Sequence, residues 1–155
     1  MSIELKEENI EGWKLRALEF KNDKKILKKV YRGKLNSIQT KSGKDKKLEQ
    51  QQQITKAIKS ERGSEIRNQL GIYAISLGMK FSQHENQNQP LDIDNFIKPI
   101  FAGIAAGLFS PANEYPKDLI GFTEYDDSCF EYLYVERLDD HADVEGVAIV
   151  ISEEK

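Results

Sequence analysis

The chain has 155 residues, which is enough for one domain with one hydrophobic core and above the size at which disulfides or metals become necessary for folding. The single cysteine, Cys129, excludes an internal disulfide, and no stretch reaches the roughly 18 apolar residues of a membrane-spanning helix. The net charge of −3 gives no overall basic excess of the kind that nucleic-acid-binding domains usually show, and the acidic N-terminus lacks a secretory apolar region. We therefore expect a single cytoplasmic domain over residues 1–155 that does not enter a membrane.

The first third of the chain predicts a strand followed by a long loop. Lys14–Phe20 alternates apolar residues loosely enough for a first strand, although a helical turn fits as well. Residues 21–47 contain turn-forming residues and few large apolar ones after Val30, which predicts a basic flexible segment, or a hairpin.

That segment concentrates positive charge. It contains eleven Lys or Arg residues but only two acidic ones, Asp23 and Asp45, so its local net charge is +9. The rest of the chain therefore carries −12. Such asymmetry can attract a polyanion such as DNA, with an affinity that falls steeply as salt rises, although a solvated lysine-rich loop explains the charge equally well. The candidate phosphate contacts in this segment are Lys24, Lys25, Lys28, Lys29, Arg32 and Lys34.

The middle of the chain predicts two helices around a central strand. Lys46–Arg62 is rich in helix formers and stops before Gly63, so we expect a polar surface helix. Leu70–Phe81 is apolar on both faces, as a central strand is. From Asp94 onwards apolar residues recur at helical spacing, and Pro99 predicts a first-turn kink or a late helix start.

The last third predicts a loop and two strands. Residues 110–124 contain two prolines and a glycine and are interpreted as a loop insertion. Phe130–Val135 and Val144–Ile151 alternate like strands and are expected to pair as a hairpin. The predicted order β, α, β, α, β, β indicates an α+β domain in which helices cover a mixed sheet.

The segment Leu91–Lys98, LDIDNFIK, carries the most informative chemistry. In an extended stretch Asp92 and Asp94 share a face, and paired carboxylates suit Mg²⁺, which binds through one or two carboxylates, waters and substrate phosphate. Lys98, one helical turn further on, would neutralise charge on a reacting phosphate. The alternative is that Asp94 only caps the helix and Asp92 is a loop residue, because D-x-D alone is a weak signal.

Other candidate residues have simpler explanations. The polar run between the last two strands could hold a second metal ion but fits a turn better; its candidate ligands are Asp139, Asp140, His141 and Asp143. His84 fits a solvated loop, and Cys129 fits the core better than a nucleophile. Some aromatic residues could stack on bases, although at period two half of them belong in the core; they are Tyr125, Phe130, Tyr132 and Tyr134.

The motif Asp92-Ile93-Asp94-Asn95-Phe96-Ile97-Lys98, followed by an apolar helix and by Tyr125-Asp126-Asp127 before a strand, resembles the RusA family of Holliday junction resolvases. The resemblance extends over residues 70–135, somewhat under half of the chain. It departs from the family in the longer spacing between Lys98 and Asp127, which leaves Asp126 as an alternative to Asp127, and in the absence of the family's N-terminal Pro-Pro-Ser and Asn signature.

The resemblance implies a homodimeric, magnesium-dependent endonuclease, with Mn²⁺ as a possible substitute, that cuts opposed strands of a four-way DNA junction. It implies Asp92, Asp94 and Asp127 as metal ligands and Lys98 as the essential lysine. One alternative is a non-catalytic DNA-binding or interaction module that kept the fold, since residues 110–155 carry a charge of −10 that repels DNA. Another is a nuclease for other branched DNA.

Overall fold

The computed structural model describes residues 3–35, 44–62, 71–82, 94–110, 130–139 and 142–154, and within them only the backbone of residues 23–26, 44–48, 94–95 and 98. These residues form six strands and two helices, two strands more than predicted, and the predicted α+β class is confirmed. The elements are β1 (Ile3–Ile10), β2 (Trp13–Phe20), β3 (Asp23–Arg32), α1 (Lys44–Arg62), β4 (Tyr73–Lys80), α2 (Asp94–Phe109), β5 (Phe130–Asp139) and β6 (Gly146–Glu154). The strands and the helices belong to two separate compact units.

The first sheet is the antiparallel hairpin β1–β2. Its strands are in register from Ile3 opposite Phe20 to Ile10 opposite Trp13. The two loop residues, Glu11 and Gly12, have φ angles of 51° and 88°. Two consecutive positive φ values are what a type I′ turn requires, and this turn matches the natural twist of a hairpin.

The second sheet has four strands in the order β3-β6-β4-β5. β6 pairs antiparallel with both β3 and β4, whereas β5 runs parallel to β4. Residues 73–79 of β4 and 146–152 of β6 are buried throughout, so these two central strands are covered on both faces. The prediction of a central strand in this region is confirmed.

The hairpin packs on one face of the four-stranded sheet around a shared apolar cluster. The cluster joins residues of the hairpin to residues of β3 and β6, namely Ile10, Trp13, Leu15, Ala17, Val30, Ala148 and Val150. Two buried hydroxyls complete the contact: Ser76 accepts a hydrogen bond from the Leu18 backbone N–H at 2.8 Å, and Ser152 accepts one from Phe20 at 3.2 Å. These serines satisfy amide groups of β2 that would otherwise be buried without a partner.

The strand predictions were partly wrong. Residues 23–32 form β3 rather than a loop, and residues 3–10 form β1, which the sequence did not suggest. The predicted hairpin of the last two strands does not exist, because β4 lies between β5 and β6. The strand predicted at Lys14–Phe20 is confirmed as β2. The predicted insertion at 110–124 lies outside the described residues, apart from Ser110.

The helical unit consists of α1 and α2 packed side by side. The two predicted helices are confirmed, but α1 is not a polar surface helix, because one of its faces is buried. That face includes apolar and polar side chains: Gln50, Gln51, Ile54, Thr55, Ile58, Lys59 and Arg62. Neither described helix is both long enough and apolar enough to cross a bilayer.

Candidate functional site

The helix α2 begins on the motif that the sequence singles out. Asp94 is its first residue, and Lys98 follows one turn later on the same side of the backbone helix. β5 begins at Phe130, three residues after Asp127. Asp92, Asp126 and Asp127 lie outside the described residues.

The N-terminus of α2 carries a partial positive charge, which favours an anionic substrate or a carboxylate nearby. The first backbone N–H groups of a helix have no carbonyl partner inside it and carry a partial positive charge. Pro99 lies within the helix, so the predicted late start is wrong. Because Pro99 has no N–H, the carbonyl of Asn95 receives no hydrogen bond from it within the helix.

Contact with α1 fixes the position of α2 within the helical unit. An added Cβ at Gly107 would lie 2.7 Å from the Cβ of Ile58, and one at Gly103 would lie 3.0 Å from the Cβ of Ile54. The 2.7 Å contact is shorter than real Cβ contacts, so Gly107 must be glycine for the helices to approach this closely, whereas the 3.0 Å contact at Gly103 is only unusually tight. The Thr55 hydroxyl also donates a hydrogen bond to the Gly103 carbonyl at 2.9 Å.

The buried Arg62 closes the other end of α2. Its guanidinium donates to the carbonyls of Gly107 and Ser110, each at 2.6 Å, and the Ser110 hydroxyl donates to Ala106 at 2.5 Å. These bonds satisfy carbonyls at the helix C-terminus, where cations are also favoured by the helix dipole. This role of Arg62 was not predicted from the sequence, although Gly103 and Gly107, one turn apart, are a visible signal of close helix packing.

In the strand unit, hydrogen bonds hold the C-terminal end of β4, from which the chain continues to the D-x-D motif. The buried carboxylate of Glu145 accepts hydrogen bonds from the backbone N–H of Leu35 at 2.6 Å and from the N–H and hydroxyl of Ser82 at 3.0 and 2.9 Å. Phe81 donates to the Asp139 carbonyl at 2.8 Å. The chain at this end of β4 is therefore bonded to Glu145 and to the end of β5, and Glu145 also binds the segment after β3.

For the predicted metal site, Asp94 must approach the segment before β5, although that segment and the end of β4 lie at opposite ends of the strand. Because β5 runs parallel to β4, Phe130 lies beside Tyr73, at the end of β4 opposite to Lys80. An eight-residue strand is about 25 Å long. The chain is long enough to span this length, since the eleven residues between Ser82 and Asp94 can extend over about 36 Å.

The structure pairs two of the basic residues that were candidates for DNA contact. The ammonium of Lys28 lies 2.8 Å from a carboxylate oxygen of Glu8 and 3.7 Å from one of Glu19. Arg32 lies 3.0 Å from a Glu11 oxygen. The positive charge that the strand offers to a polyanion is therefore smaller than the residue count suggests. The side chains of Lys24, Lys25 and Lys98 are outside the described part of the structure, and Lys34 is exposed.

The carboxylate of Glu11 carries a second connection to β3. It accepts a hydrogen bond from the Val30 backbone N–H at 2.9 Å and one from Arg32 at 3.0 Å. The Val30 hydrogen bond, followed by that of Arg32, lowers the pKa of Glu11 below its usual 4.5. The negative charge of Glu11 therefore helps to hold the hairpin on the edge of the larger sheet.

The remaining candidates gain little from the structure. No three His, Cys, Asp or Glu side chains in the described ranges gather as metal ligands would. Asp139 ends β5, and Asp143 is exposed in the connection to β6. Tyr132 contacts Phe20 edge to face, and Tyr134 lies beneath Arg16, so both are engaged with the hairpin. The others, His84, Tyr125, Cys129, Asp140 and His141, are not among the described residues.

A polar cleft lies between the hairpin and β5. Its lining mixes carboxylates with Lys14 and Arg16, and Arg16 lies 3.6 Å from the Glu136 carboxylate across it. Among the residues whose side chains are described, none of the predicted site residues lines this cleft. Its described lining carries three carboxylates and two cations, which gives it no preference for a polyanion.

No family model matches the chain, and neither curated proteins nor solved structures give a significant match. The function is therefore inferred from the residues and their placement.

Proposed function

We propose that this chain is a magnesium-dependent endonuclease, similar to the RusA family, that resolves Holliday junctions by phosphodiester hydrolysis in DNA recombination and repair. The observation that carries the proposal is the start of α2 at Asp94, on the D-x-D-N-x-x-K motif. A second feature agrees with it: a buried strand precedes the motif and another strand follows Asp127 after three residues.

The donor set fits a hard divalent cation. Asp92, Asp94 and Asp127 offer only carboxylate oxygens, which Mg²⁺ and Mn²⁺ prefer, and a bound cation relieves the repulsion among them. When bound, magnesium supplies phosphodiester hydrolysis with an acidified water and with neutralisation of the phosphate charge.

The chain's own residues would orient the phosphate. The N–H groups at the start of α2 and the ammonium of Lys98 both favour an anion on the same side of that helix. The close packing of Gly103 and Gly107 against α1 keeps the helix from shifting when the phosphate binds. A rigid supporting helix matters because small displacements of catalytic groups cost large factors in rate.

Two further parts of the proposal concern the substrate. A homodimer would present two identical sites, one for each of the opposed strands of a four-way junction. Lys24, Lys25, Lys29 and Lys34 would contact phosphates beside the sites. Lys28 and Arg32 could do so only by giving up their ion pairs with carboxylates.

A non-catalytic module is the second candidate, and one observation favours it. The carboxylates Glu8, Glu11 and Glu19 neutralise cations of β3, which weakens an electrostatic DNA-binding surface. Such a module would bind DNA or a protein without cutting. A nuclease for flaps or forks is the third candidate.

The deciding experiment is cleavage of an end-labelled synthetic four-way junction, with Mg²⁺ and with a chelator. We expect symmetrical cuts by the wild type with Mg²⁺ only, and retained binding without cutting for Asp94→Asn. Asp143→Asn, the same chemical change at an exposed aspartate outside the site, should cut like the wild type.

The other outcomes separate the alternatives. Binding of the junction without any cutting by the wild type supports the module, and preferential cutting of flaps or forks supports the broader nuclease. Undiminished cutting by Asp94→Asn removes that residue from the site.

A further inference from the structure

One lysine of the strand unit is held by an aromatic ring instead of a carboxylate. Lys80 is the last residue of β4, and its ammonium lies 4.5 Å from the centre of the Trp13 ring. In the described part of the chain, no carboxylate forms an ion pair with it. The positive charge of Lys80 is therefore not cancelled, because the ring attracts a cation through its negative face but carries no net charge.

Two cations of β3 differ from Lys80 in this respect. The ammonium of Lys28 lies 2.8 Å from a Glu8 oxygen, and the guanidinium of Arg32 lies 3.0 Å from a Glu11 oxygen. An anion that approaches either of them must displace a carboxylate. An anion that approaches Lys80 displaces no carboxylate of the described residues, so its attraction to this lysine is not offset by a lost ion pair.

Trp13 holds the ammonium in a defined place. Its side chain is only 5% exposed and belongs to the apolar cluster that the hairpin shares with the larger sheet. The ring cannot move without disturbing that cluster, and Lys80 itself is half-buried. A lysine that is already positioned loses less conformational entropy on binding a ligand than a mobile surface lysine does.

Lys80 lies at the end of the strand unit from which the chain continues to the D-x-D motif. Two exposed lysines lie at the same end, because Lys14 follows Trp13 in the hairpin and Lys34 follows the end of β3. The strand β3 runs in the same direction as β4, since β6 pairs antiparallel with both. A polyanion that reaches this end of the sheet therefore meets more than one cation.

The acidic residues at this end do not occupy the ammonium of Lys80. Glu11 is bonded to Arg32, and the carboxylate of Glu145 accepts hydrogen bonds from backbone N–H groups. Asp139 and Asp143 are exposed there, and neither forms an ion pair with Lys80. The lysine is left available to an external anion.

We propose that Lys80, positioned by Trp13, binds a phosphate of the DNA backbone. The partner, DNA, rests on the proposed function, whereas the choice of Lys80 rests on the strand unit alone. A lysine is a compact point charge that suits a phosphate without selecting a base. The contact therefore positions the DNA and does not read its sequence.

Fluorescence anisotropy of a labelled four-way junction, measured in EDTA over a range of salt concentrations, tests the contact. We expect Lys80→Met to bind several-fold more weakly than the wild type, with a slope of log affinity against log salt reduced by about one, because one phosphate contact is lost. Methionine still packs on Trp13, and Lys80→Arg, which keeps the charge, should bind like the wild type. The control is Lys56→Gln, which removes one charge from an exposed position of α1 and should leave the slope nearly unchanged.

Trp13 is the single tryptophan of the chain, so its fluorescence reports on this place directly. A phosphate that binds Lys80 changes the electric field at the ring. We expect the Trp13 emission of the wild type to change when unlabelled junction is added in EDTA. The emission of Lys80→Met should not change, even at a junction concentration that saturates the variant.

The outcomes separate this inference from the nuclease proposal. Weaker binding and an unresponsive Trp13 in Lys80→Met support the contact even if the wild type never cuts the junction. Wild-type affinity and salt slope in Lys80→Met, the same loss in Lys80→Arg or Lys56→Gln, or a wild-type Trp13 emission that DNA does not alter would overturn it. Normal cutting would then leave the nuclease proposal standing, whereas a wild type that binds no junction would overturn both.

Discussion

At the scale of single residues, Glu11 combines a conformational cost with compensating contacts. Its positive φ of 51° is unfavourable for a side chain with a Cβ, and Asn or Gly would fit the turn better. The hydrogen bonds from Val30 and Arg32 offset this cost and explain why a glutamate occupies the position. The residue therefore links a local turn to the assembly of two sheets.

We predict that Glu11→Gln lowers the free energy of unfolding at pH 7 by about 0.5–1 kcal/mol, a small loss because solvent screens the pair with Arg32. Since the pKa of Glu11 is lowered on folding, the difference between wild type and variant is full above pH 4.5 and shrinks as the pH falls through the lowered value. Urea denaturation at several pH values measures it. The exposed Glu7→Gln is the control, and a difference that grows on acidification would contradict the assignment.

At the scale of elements, the contact between α1 and α2 depends on two glycines. Gly107→Ala should destabilise the protein by about 1–3 kcal/mol, because its Cβ would overlap Ile58 and overpacking outweighs the better helix propensity of alanine. Gly103→Ala should have a smaller effect, since its nearest contact is 3.0 Å instead of 2.7 Å. The stabilities of the two variants are compared through their urea denaturation midpoints, provided that the dependence of the unfolding free energy on urea concentration is unchanged. A Gly107→Ala variant as stable as the wild type would show that the helices are not in close contact.

Elements were predictable where burial left a pattern in the sequence. β4 and α2 were predicted because their apolar residues are dense or recur at helical spacing, whereas β1 is exposed at most positions and shows no alternation. β3 was mistaken for a loop because its lysines, which suit an edge strand, obscured Leu27 and Val30. The short link between β5 and β6 suggested a hairpin, but pairing depends on contacts distant in sequence that place β4 between them.

The candidate site was predictable only in part, for a similar reason. The sequence located the start of α2 at Asp94, since the motif and the helical spacing begin together. It could not reveal Arg62, Thr55 or Glu145, whose roles depend on carbonyl and amide groups far away in the chain. Polar side chains of this kind carry no periodic signal.

For the whole molecule, the proposed metal site requires that the chain bring together carboxylates from separate segments. The helices and strands supply rigid ends: α2 is held by α1, and the end of β4 is held through Glu145. Asp92 lies in residues 83–93, between β4 and α2, and Asp127 lies in residues 111–129, between α2 and β5. Their convergence with Asp94 on one cation is the central claim.

Anomalous diffraction from crystals grown with Mn²⁺ tests this claim most directly. We expect one strong anomalous peak per chain within about 2.2 Å of carboxylate oxygens of Asp92, Asp94 and Asp127, and the loss of that peak in Asp94→Asn. A Mn²⁺ ion held elsewhere, or an Asp127 carboxylate far from Asp92 and Asp94, would contradict it.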